Sequence, residues 1–331
     1  MFGALDSILL YLGLILAILF ILICVVLKLI TTPYPIINRS ENEKYYLDPK
    51  SNKKHTFPTL SDLPTVKLSV VIPAYNEQDR LPPMLDECLA HLKSKSDSDP
   101  EFTFEVIVVS DGSKDNTVKV ATEYSNKYGT DVFRVLELER NRGKGGAVRL
   151  GVQSTRGEMI LFADADGATK FSDFDKLESI LHMLKDSNDK ENLLYNQFGI
   201  VIGSRAHLQQ ESIATRSLFR TILMYGFHFL VWLFAVRDIH DTQCGFKLFT
   251  RRTAEICFSN MHIERWAFDV ELLYIAQSID VPVLETPVNW TEIDGSKVEP
   301  FSSSIQMAKD LALLWLRYKI GAWKINYKKL K

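Results

Sequence analysis

Asp164 and Asp166 are the residues best placed to do chemistry. They flank Ala165 at the end of the apolar run Met159-Ile160-Leu161-Phe162-Ala163, which predicts a buried strand. Two carboxylates so spaced at a strand's carboxyl end can share one divalent cation. Their hard oxygens suit Mg²⁺ or Mn²⁺, ions that complete their shell with water and substrate phosphates. An Asp-x-Asp triplet alone is also an ordinary solvated turn, and the order of the motifs around it decides between the two.

Those motifs need elements to hold them. Residues 68–72, 104–109, 132–138, 159–163 and 199–203 predict strands, and residues 80–92, 115–128, 145–154 and 173–185 predict helices. Alternation of this kind makes an α/β domain with a mostly parallel, doubly wound, Rossmann-like sheet. Ligands of such sheets bind at the carboxyl ends of the strands. Each predicted strand delivers polar or Gly-rich residues to that edge: Pro73-Ala74-Tyr75-Asn76-Glu77, then Ser110-Asp111-Gly112-Ser113, then Arg140-Asn141-Arg142-Gly143-Lys144-Gly145-Gly146, then Asp164-Ala165-Asp166-Gly167, then Gly203-Ser204-Arg205. One such loop is an N-cap or a turn; together they predict a polyanionic ligand. Tyr75 can stack on a base, and Glu77 and Asp111 can accept hydrogen bonds from base or ribose. Asp-Gly-Ser is equally a turn, and Asp115 an N-cap. Free N–H groups and Lys144 at a helix start suit a phosphate. Arg205 can neutralise a diphosphate.

A nicotinamide dehydrogenase is the rival reading. Gly143-x-Gly145 lies between strand and helix, with Asp164 about twenty positions on, as a dinucleotide fingerprint expects. Val148 occupies the place of the third small residue, and the first strand–helix turn has no glycine, so this reading is disfavoured. The 331 residues allow one large domain or two small ones, and the net charge of −2 argues against a general nucleic-acid binder. Cys24, Cys88, Cys244 and Cys257 show no metal or disulfide spacing, which fits a reducing compartment.

Residues 7–27 are uncharged, rich in Leu and Ile, and long enough for one bilayer crossing. Asp6 precedes them and Lys28 follows, unlike a cleaved signal peptide. Residues 1–30 are therefore expected to be a transmembrane anchor. The positive charge of Lys28, Arg39 and Lys44 puts the downstream chain in the cytosol and the N-terminus in the lumen. The proline-bearing stretch 31–66 is expected to be a stalk, and 67–331 the catalytic domain, with a membrane-proximal, acceptor-binding part over about 206–331. Residues 221–236 suit an interfacial helix or a buried core helix. The basic, aromatic stretch from Arg317 suits an anionic membrane surface or a solvated helix.

The run from Val70 to Glu77, the Asp111–Ser113 turn, Gly143-Lys144-Gly145 and the Asp164/Asp166 pair stand in the order found in family 2 glycosyltransferases. Over residues 68–205 the chain resembles that family, whose fold is GT-A. Further on, His240-Asp241-Thr242-Gln243-Cys244-Gly245-Phe246-Lys247-Leu248-Phe249 resembles the acceptor-side segment of its polyprenyl-phosphate transferases. Arg265-Trp266-Ala267-Phe268-Asp269-Val270-Glu271-Leu272-Leu273 and Val288-Asn289-Trp290-Thr291-Glu292-Ile293-Asp294-Gly295-Ser296-Lys297 resemble the dolichyl-phosphate glucosyl branch.

The resemblance implies UDP-glucose as donor, dolichyl phosphate as acceptor, inversion at the sugar, and a place in the endoplasmic reticulum membrane supplying lipid-linked glucose for N-glycan precursors. Pro73, Tyr75, Glu77 and Asp111 would line the uridine. Asp164 and Asp166 would bracket a Mg²⁺ or Mn²⁺ ion and the diphosphate, with Lys144 and Arg205 adding charge. Asp269 and Glu271 lie where inverting relatives place a base, with helix capping as the alternative, and Lys247 and Lys297 are candidates for the acceptor phosphate. Ala168 stands where the sister mannosyl enzymes carry glutamine, which favours glucose. GDP-mannose is the closest alternative donor, and a non-catalytic, tethered binder of sugar nucleotides is the alternative outside enzymes.

Overall fold

The computed structural model describes residues 2–184, 193–208, 226, 230–293 and 300–327. A seven-stranded sheet runs in the order β5-β4-β3-β6-β8-β7-β9. Its strands are β3 (Val66–Ala74), β4 (Phe104–Ser110), β5 (Phe133–Glu137), β6 (Gly157–Ala163), β7 (Ile200–Ser204), β8 (Phe246–Thr250) and β9 (Val283–Pro287). β5, β4, β3 and β6 are parallel, and β7 is parallel to β9. β8 is antiparallel to both β6 and β7. The sheet is thus mostly parallel, as expected.

The central strands carry near-continuous apolar runs because helices cover both faces of such a sheet. Val70, Val71, Ile72, Val106, Ile107, Val108, Ile160, Leu161 and Phe162 are fully buried. The crossovers are α2 (Leu81–Ser98), α3 (Thr117–Tyr128), α4 (Lys144–Val152) and α5 (Phe174–Met183). Two more helices, α6 (Arg251–Asn260) and α7 (Phe268–Ser278), follow β8. α2 packs on α3, and α4 packs on α6 and on β3, β4 and β6. Gly151 permits the last contact: a Cβ there would lie 2.5 Å from Val71 Cγ1 and 2.6 Å from Val109 Cγ2. The sheet order brings the loops after β3, β4, β5 and β6 to one edge and sets β8 beside β6.

The long helix α1 (Phe2–Ile30) precedes the sheet. Within its residues Asp6–Ile30 an 18-residue window reaches mean hydropathy 3.3 with none of it buried, so by length and composition it can cross a membrane. The expectation of a stalk over 31–66 needs correction. Strands β1 (Tyr45–Asp48) and β2 (Lys53–Thr56) pair as an antiparallel hairpin in this segment. Phe57 and Leu60 enter the core, and Glu43 is fully buried. Glu43 accepts the Ser40 and Glu139 N–H groups and pairs with Arg142 at 2.7 Å. The prolines suggested a linker, but a buried, fully engaged carboxylate welds the segment to the loop after β5.

The C-terminal helix α8 (Pro300–Lys319) leads into a turn whose Lys324 N–H donates to Pro33 O. Of residues 221–236, only 226 and 230–236 are described. Lys297 lies outside the described residues, as do Lys328, Lys329 and Lys331 of the basic tail.

Candidate active site

The loops after β3 and β4 hold each other through hydrogen bonds from backbone N–H groups to side-chain oxygens. Asn76, at φ +53°, accepts the Lys114 N–H at 2.7 Å, and its own N–H donates to Ser113 Oγ. The Glu77 N–H donates to Thr117 Oγ1 at 2.7 Å. Both Glu77 oxygens then accept from one edge of the Arg80 guanidinium, Nε at 2.7 Å and NH2 at 2.6 Å. Tyr75 and Pro73 stand half-buried at this edge.

Asp111 is buried and accepts the N–H groups of Arg142 at 2.7 Å and Gly143 at 2.9 Å. It therefore fastens the Gly-rich loop after β5 to the loop after β4. Burial pushes its carboxyl up to about 6, against the pull of those N–H groups and of Arg142. Gly112 sits at φ +66°, where a Cβ would meet Asn141 N at 2.7 Å, so the two loops close only around a glycine.

Gly143, at φ +87°, starts α4 and aims Lys144 at β6. Lys144 Nζ pairs with Asp164 Oδ1 at 2.6 Å. Burial disfavours the ammonium, but Asp164 and then Asp269 outweigh it and hold its pKa above the ordinary lysine value. Asp166 accepts the Ala168 N–H at 3.0 Å. Burial first, and the Asp164 carboxylate second, push Asp166 above the usual carboxylate range, with Arg80 and Lys144 pulling it back. Two adjacent, mutually repelling carboxylates of hard oxygen, half open to solvent, fit a divalent cation that takes its remaining ligands from water and a diphosphate. Among the described residues no group of three or more His, Cys, Asp or Glu forms a closed metal cage.

Sequence reasoning passed over Gly245. Its carbonyl accepts the Asp164 N–H at 3.2 Å, and a Cβ on it would lie 2.0 Å from Asp164 Oδ2. The turn before β8 is pressed flat against the Asp164 carboxylate, and no other residue type fits there. The glycine in Gln243-Cys244-Gly245-Phe246 was the available signal.

Arg205 follows β7. Its Nε and NH2 grip Asp241 at 2.7 and 2.8 Å, and its own N–H donates to the same carboxylate. Asp241 is aligned in turn by Glu285, which accepts its N–H at 2.8 Å. The guanidinium lies 5.4 Å from the Trp290 ring centroid. Trp290 is fixed by a bridge to Thr169 and by the Thr291 N–H donating to Ala168 O, both in the loop after Asp166. Asp241, Glu285 and Trp290 were not predicted as site residues. Only their partners make them legible.

Two expectations change in role. Lys247 was a candidate for the acceptor phosphate. It is fully buried on β8, and its Nζ pairs with Asp269 Oδ1 at 2.5 Å and donates to Cys244 O at 2.6 Å. A lysine on an interior strand covered on both faces has no path to solvent. Asp269 was a candidate base; it is buried beneath the edge between Lys247 and Lys144, and burial raises its pKa against the pull of both. Glu271 is also fully buried. It accepts the His262 and Ile263 N–H groups at 3.0 and 2.6 Å and the Tyr318 hydroxyl at 3.1 Å, so it ties the loop after α6 to α8.

The edge thus offers hydrogen-bond acceptors and an aromatic ring at the loops after β3 and β4, then a cation-ready carboxylate pair with Lys144 at its centre, then a rigid arginine after β7. The model for "Glycosyl transferase family 2" matches residues 69–255. The chain is 61% identical over 295 residues to a dolichyl-phosphate beta-glucosyltransferase of Drosophila melanogaster, covering 89% of this chain and 88% of that protein. It is 56% identical over 306 residues to the Homo sapiens protein of the same name, covering 92% of each. A mycobacterial protein of known crystal structure shares the fold at TM-score 0.50 and 18% identity, covering 84% of each chain. The chain belongs to glycosyltransferase family 2, with the GT-A fold, and within it to the dolichyl-phosphate beta-glucosyltransferases.

Proposed function

We propose that this chain transfers glucose from UDP-glucose to dolichyl phosphate with inversion. The observation that carries this reading is the convergence of Asp111, Lys144, Asp164, Asp166 and Arg205 on the carboxyl edge of the sheet, in a chain of this family. Glu77, Asp111 and Tyr75 bind the uridine end. Lys144 and Arg205 face the diphosphate. Asp164 and Asp166 hold a divalent cation, Mg²⁺ or Mn²⁺, which when bound supplies electrostatic stabilisation of the leaving diphosphate.

In the transfer step an oxygen of the acceptor phosphate forms a bond to the anomeric carbon as the bond from that carbon to the UDP oxygen breaks. Attack from the opposite face turns α-linked glucose into β-linked glucose. A phosphate monoester has a second pKa near ~6 and is largely dianionic at neutral pH. No strong base is then needed. That agrees with Asp269 being buried and paired with Lys247 rather than open to a substrate proton. Asp269 serves as a positioning residue that keeps Lys144 charged, and Lys247 neutralises it from below. Lys297 remains a candidate for the acceptor phosphate.

In this reading α1 anchors the chain in the endoplasmic reticulum membrane with the catalytic domain cytosolic, feeding lipid-linked glucose to N-glycan assembly. Asn38-Arg39-Ser40 and Asn289-Trp290-Thr291 are glycosylation sequons by pattern. Neither should carry a glycan in cells, and a glycosidase-sensitive mass shift at either overturns the orientation. The donor is tested by offering purified full-length protein radiolabelled UDP-glucose and GDP-mannose side by side with dolichyl phosphate and extracting the lipid product. UDP-glucose should give the faster rate, with a β-linked product by NMR. Faster transfer from GDP-mannose overturns the donor assignment.

A further inference from the structure

A cleft of about 740 Å³ opens where α1 leaves the membrane-spanning stretch, and the transfer reaction does not use it. Ile30 and Ile36 give it an apolar lip at the base of the anchor. Its walls are the loop after β5, the segment between α6 and α7, and the turn after α8. Five arginines line it: Arg140, Arg142, Arg149, Arg265 and Arg317. Glu264 is the one acidic residue among them.

Several of these groups are held but not satisfied. Arg142 Nε, Arg149 Nε and Arg317 Nε are buried donors with no hydrogen-bond partner among the described residues, and all three belong to residues that line the cleft. A buried donor left unpaired costs free energy, which a small shift of these side chains toward an acceptor in the cleft would recover. The frame is rigid. His262 stacks on Trp323 at 4.1 Å, Arg317 lies 4.7 Å from the same ring centroid, and Arg142 NH1 donates to Asn38 O. Burial lowers the Arg149 pKa to about 10, with Glu271 pulling it up and the neighbouring Arg142 pushing it down. Arg149 pairs with Glu264 and Arg142 with Glu43, while Arg140, Arg265 and Arg317 also line the cleft.

We propose that this cleft seats the phosphate of an anionic phospholipid headgroup, with the acyl chains leaving past Ile30 and Ile36 into the bilayer beside α1. Arginines suit a phosphodiester because their forked N–H groups match its oxygens. A basic pocket next to a membrane helix also meets the anionic lipid of the cytoplasmic leaflet. The loop carrying Arg140 and Arg142 follows the edge strand β5, whereas Arg205, assigned above to the donor diphosphate, follows β7, with β4, β3, β6 and β8 between them. The bound lipid would fix the tilt of the domain on the membrane. It would also press on the loop whose Arg142 and Gly143 N–H groups Asp111 holds from the other side.

Native mass spectrometry of the full-length protein in detergent, titrated with phosphatidylserine, tests this. One lipid should be retained per chain. The exposed pair Arg140→Gln/Arg265→Gln should weaken it at least tenfold with the circular dichroism spectrum unchanged, and Arg317→Gln should weaken it further. Phosphatidylcholine at equal concentration should not displace it. Unchanged affinity in both variants, or equal binding of phosphatidylcholine, overturns the proposal. Displacement of phosphatidylserine by equimolar inorganic phosphate would make the cleft a free-phosphate site. Displacement by a polyprenyl phosphate at lower concentration than a competing phosphatidylserine would make it an acceptor site. Either of these also overturns it.

Discussion

In the half of the sheet built on β3, β4, β5 and β6, carboxylate, hydroxyl and amide side chains grip backbone N–H groups of neighbouring loops: Asp111 on Arg142 and Gly143, Asn76 on Lys114, Thr117 on Glu77. In the half built on β8, β7 and β9, the inward charges are locked in ion pairs within that half, Arg205 on Asp241 and Lys247 on Asp269. The first arrangement fixes loop shape and leaves a surface for a ligand with its own hydrogen bonds. The second neutralises charge in pairs and leaves one guanidinium stiffly presented. Asp164 sits at the seam, touched by Lys144 from the first half and Gly245 from the second. Catalysis at the seam should fail most sharply there, and substitutions further into either half should act on binding or stability.

Asp164→Ala should therefore have the largest effect. Transfer should fall to background while the circular dichroism spectrum and melting temperature stay close to wild type, because the residue is partly exposed and Lys144, which loses its ion pair, keeps Asp269 and Asp166 nearby. Gly245→Ala comes next. A Cβ 2.0 Å from Asp164 Oδ2 must displace the carboxylate or the turn before β8. A displacement of about 1 Å at a reacting centre costs on the order of 100-fold in rate. Steady-state kinetics should show that loss in kcat together with a weaker metal-dependent part of UDP binding, because the displaced carboxylate holds the cation. An equal loss of UDP affinity with chelator present would mean that the turn shapes the donor pocket itself.

Glu271→Gln tests the assignment of that residue to structure. It removes charge-assisted bonds to the His262 and Ile263 N–H groups and to Tyr318, worth roughly 2 kcal/mol together after partial replacement by the amide. Denaturant unfolding should report the loss while kcat per folded molecule holds. A kcat falling with intact stability would return Glu271 to the chemistry.

The smallest effect concerns Asp111 and depends on pH. Its folded pKa, about 6, is raised above the unfolded value near ~3.9. A raised carboxyl contributes stability that is fully present below the unfolded pKa and lost as pH rises through the folded one. The stability of ligand-free wild type relative to Asp111→Asn should therefore move in favour of wild type as pH drops from 7 to 4, by on the order of 2 kcal/mol. Melting curves across that range check the sign, and a shift the other way would mean that the N–H groups of Arg142 and Gly143 dominate over burial.

The difference between the halves also explains what the sequence made legible. The parallel half is a string of strand, turn and helix in which each motif stands at a strand end, so Asp111, Lys144 and the Asp164/Asp166 pair could be placed on one edge from order alone. β8 has the composition of a buried segment of any kind, β9 is short, mixed in composition and mostly not buried, and nothing local says that β8 inserts antiparallel between β6 and β7. Lys247 looked like a phosphate ligand because its partner, Asp269, lies in a different element, and a lone charge has no readable role until its partner is known. Arg205 was legible as a cation but not as one clamped by Asp241. The stretch 31–66 misled for the same reason: its prolines are visible in the sequence, whereas the burial of Glu43 against Arg142 depends on residues about a hundred positions away.

The central claim is that Asp164 and Asp166 act through a shared cation on the donor diphosphate. It is tested most directly by titrating UDP into full-length wild type and Asp166→Asn by calorimetry, with Mn²⁺ and with chelator, alongside turnover of UDP-glucose and dolichyl phosphate in the same samples. Wild type should bind UDP at least tenfold tighter with Mn²⁺ than with chelator and should turn over only with the metal. Asp166→Asn should lose both the metal-dependent part of binding and turnover. Chelator-insensitive turnover by wild type, or near-wild-type turnover by Asp166→Asn, would contradict the account.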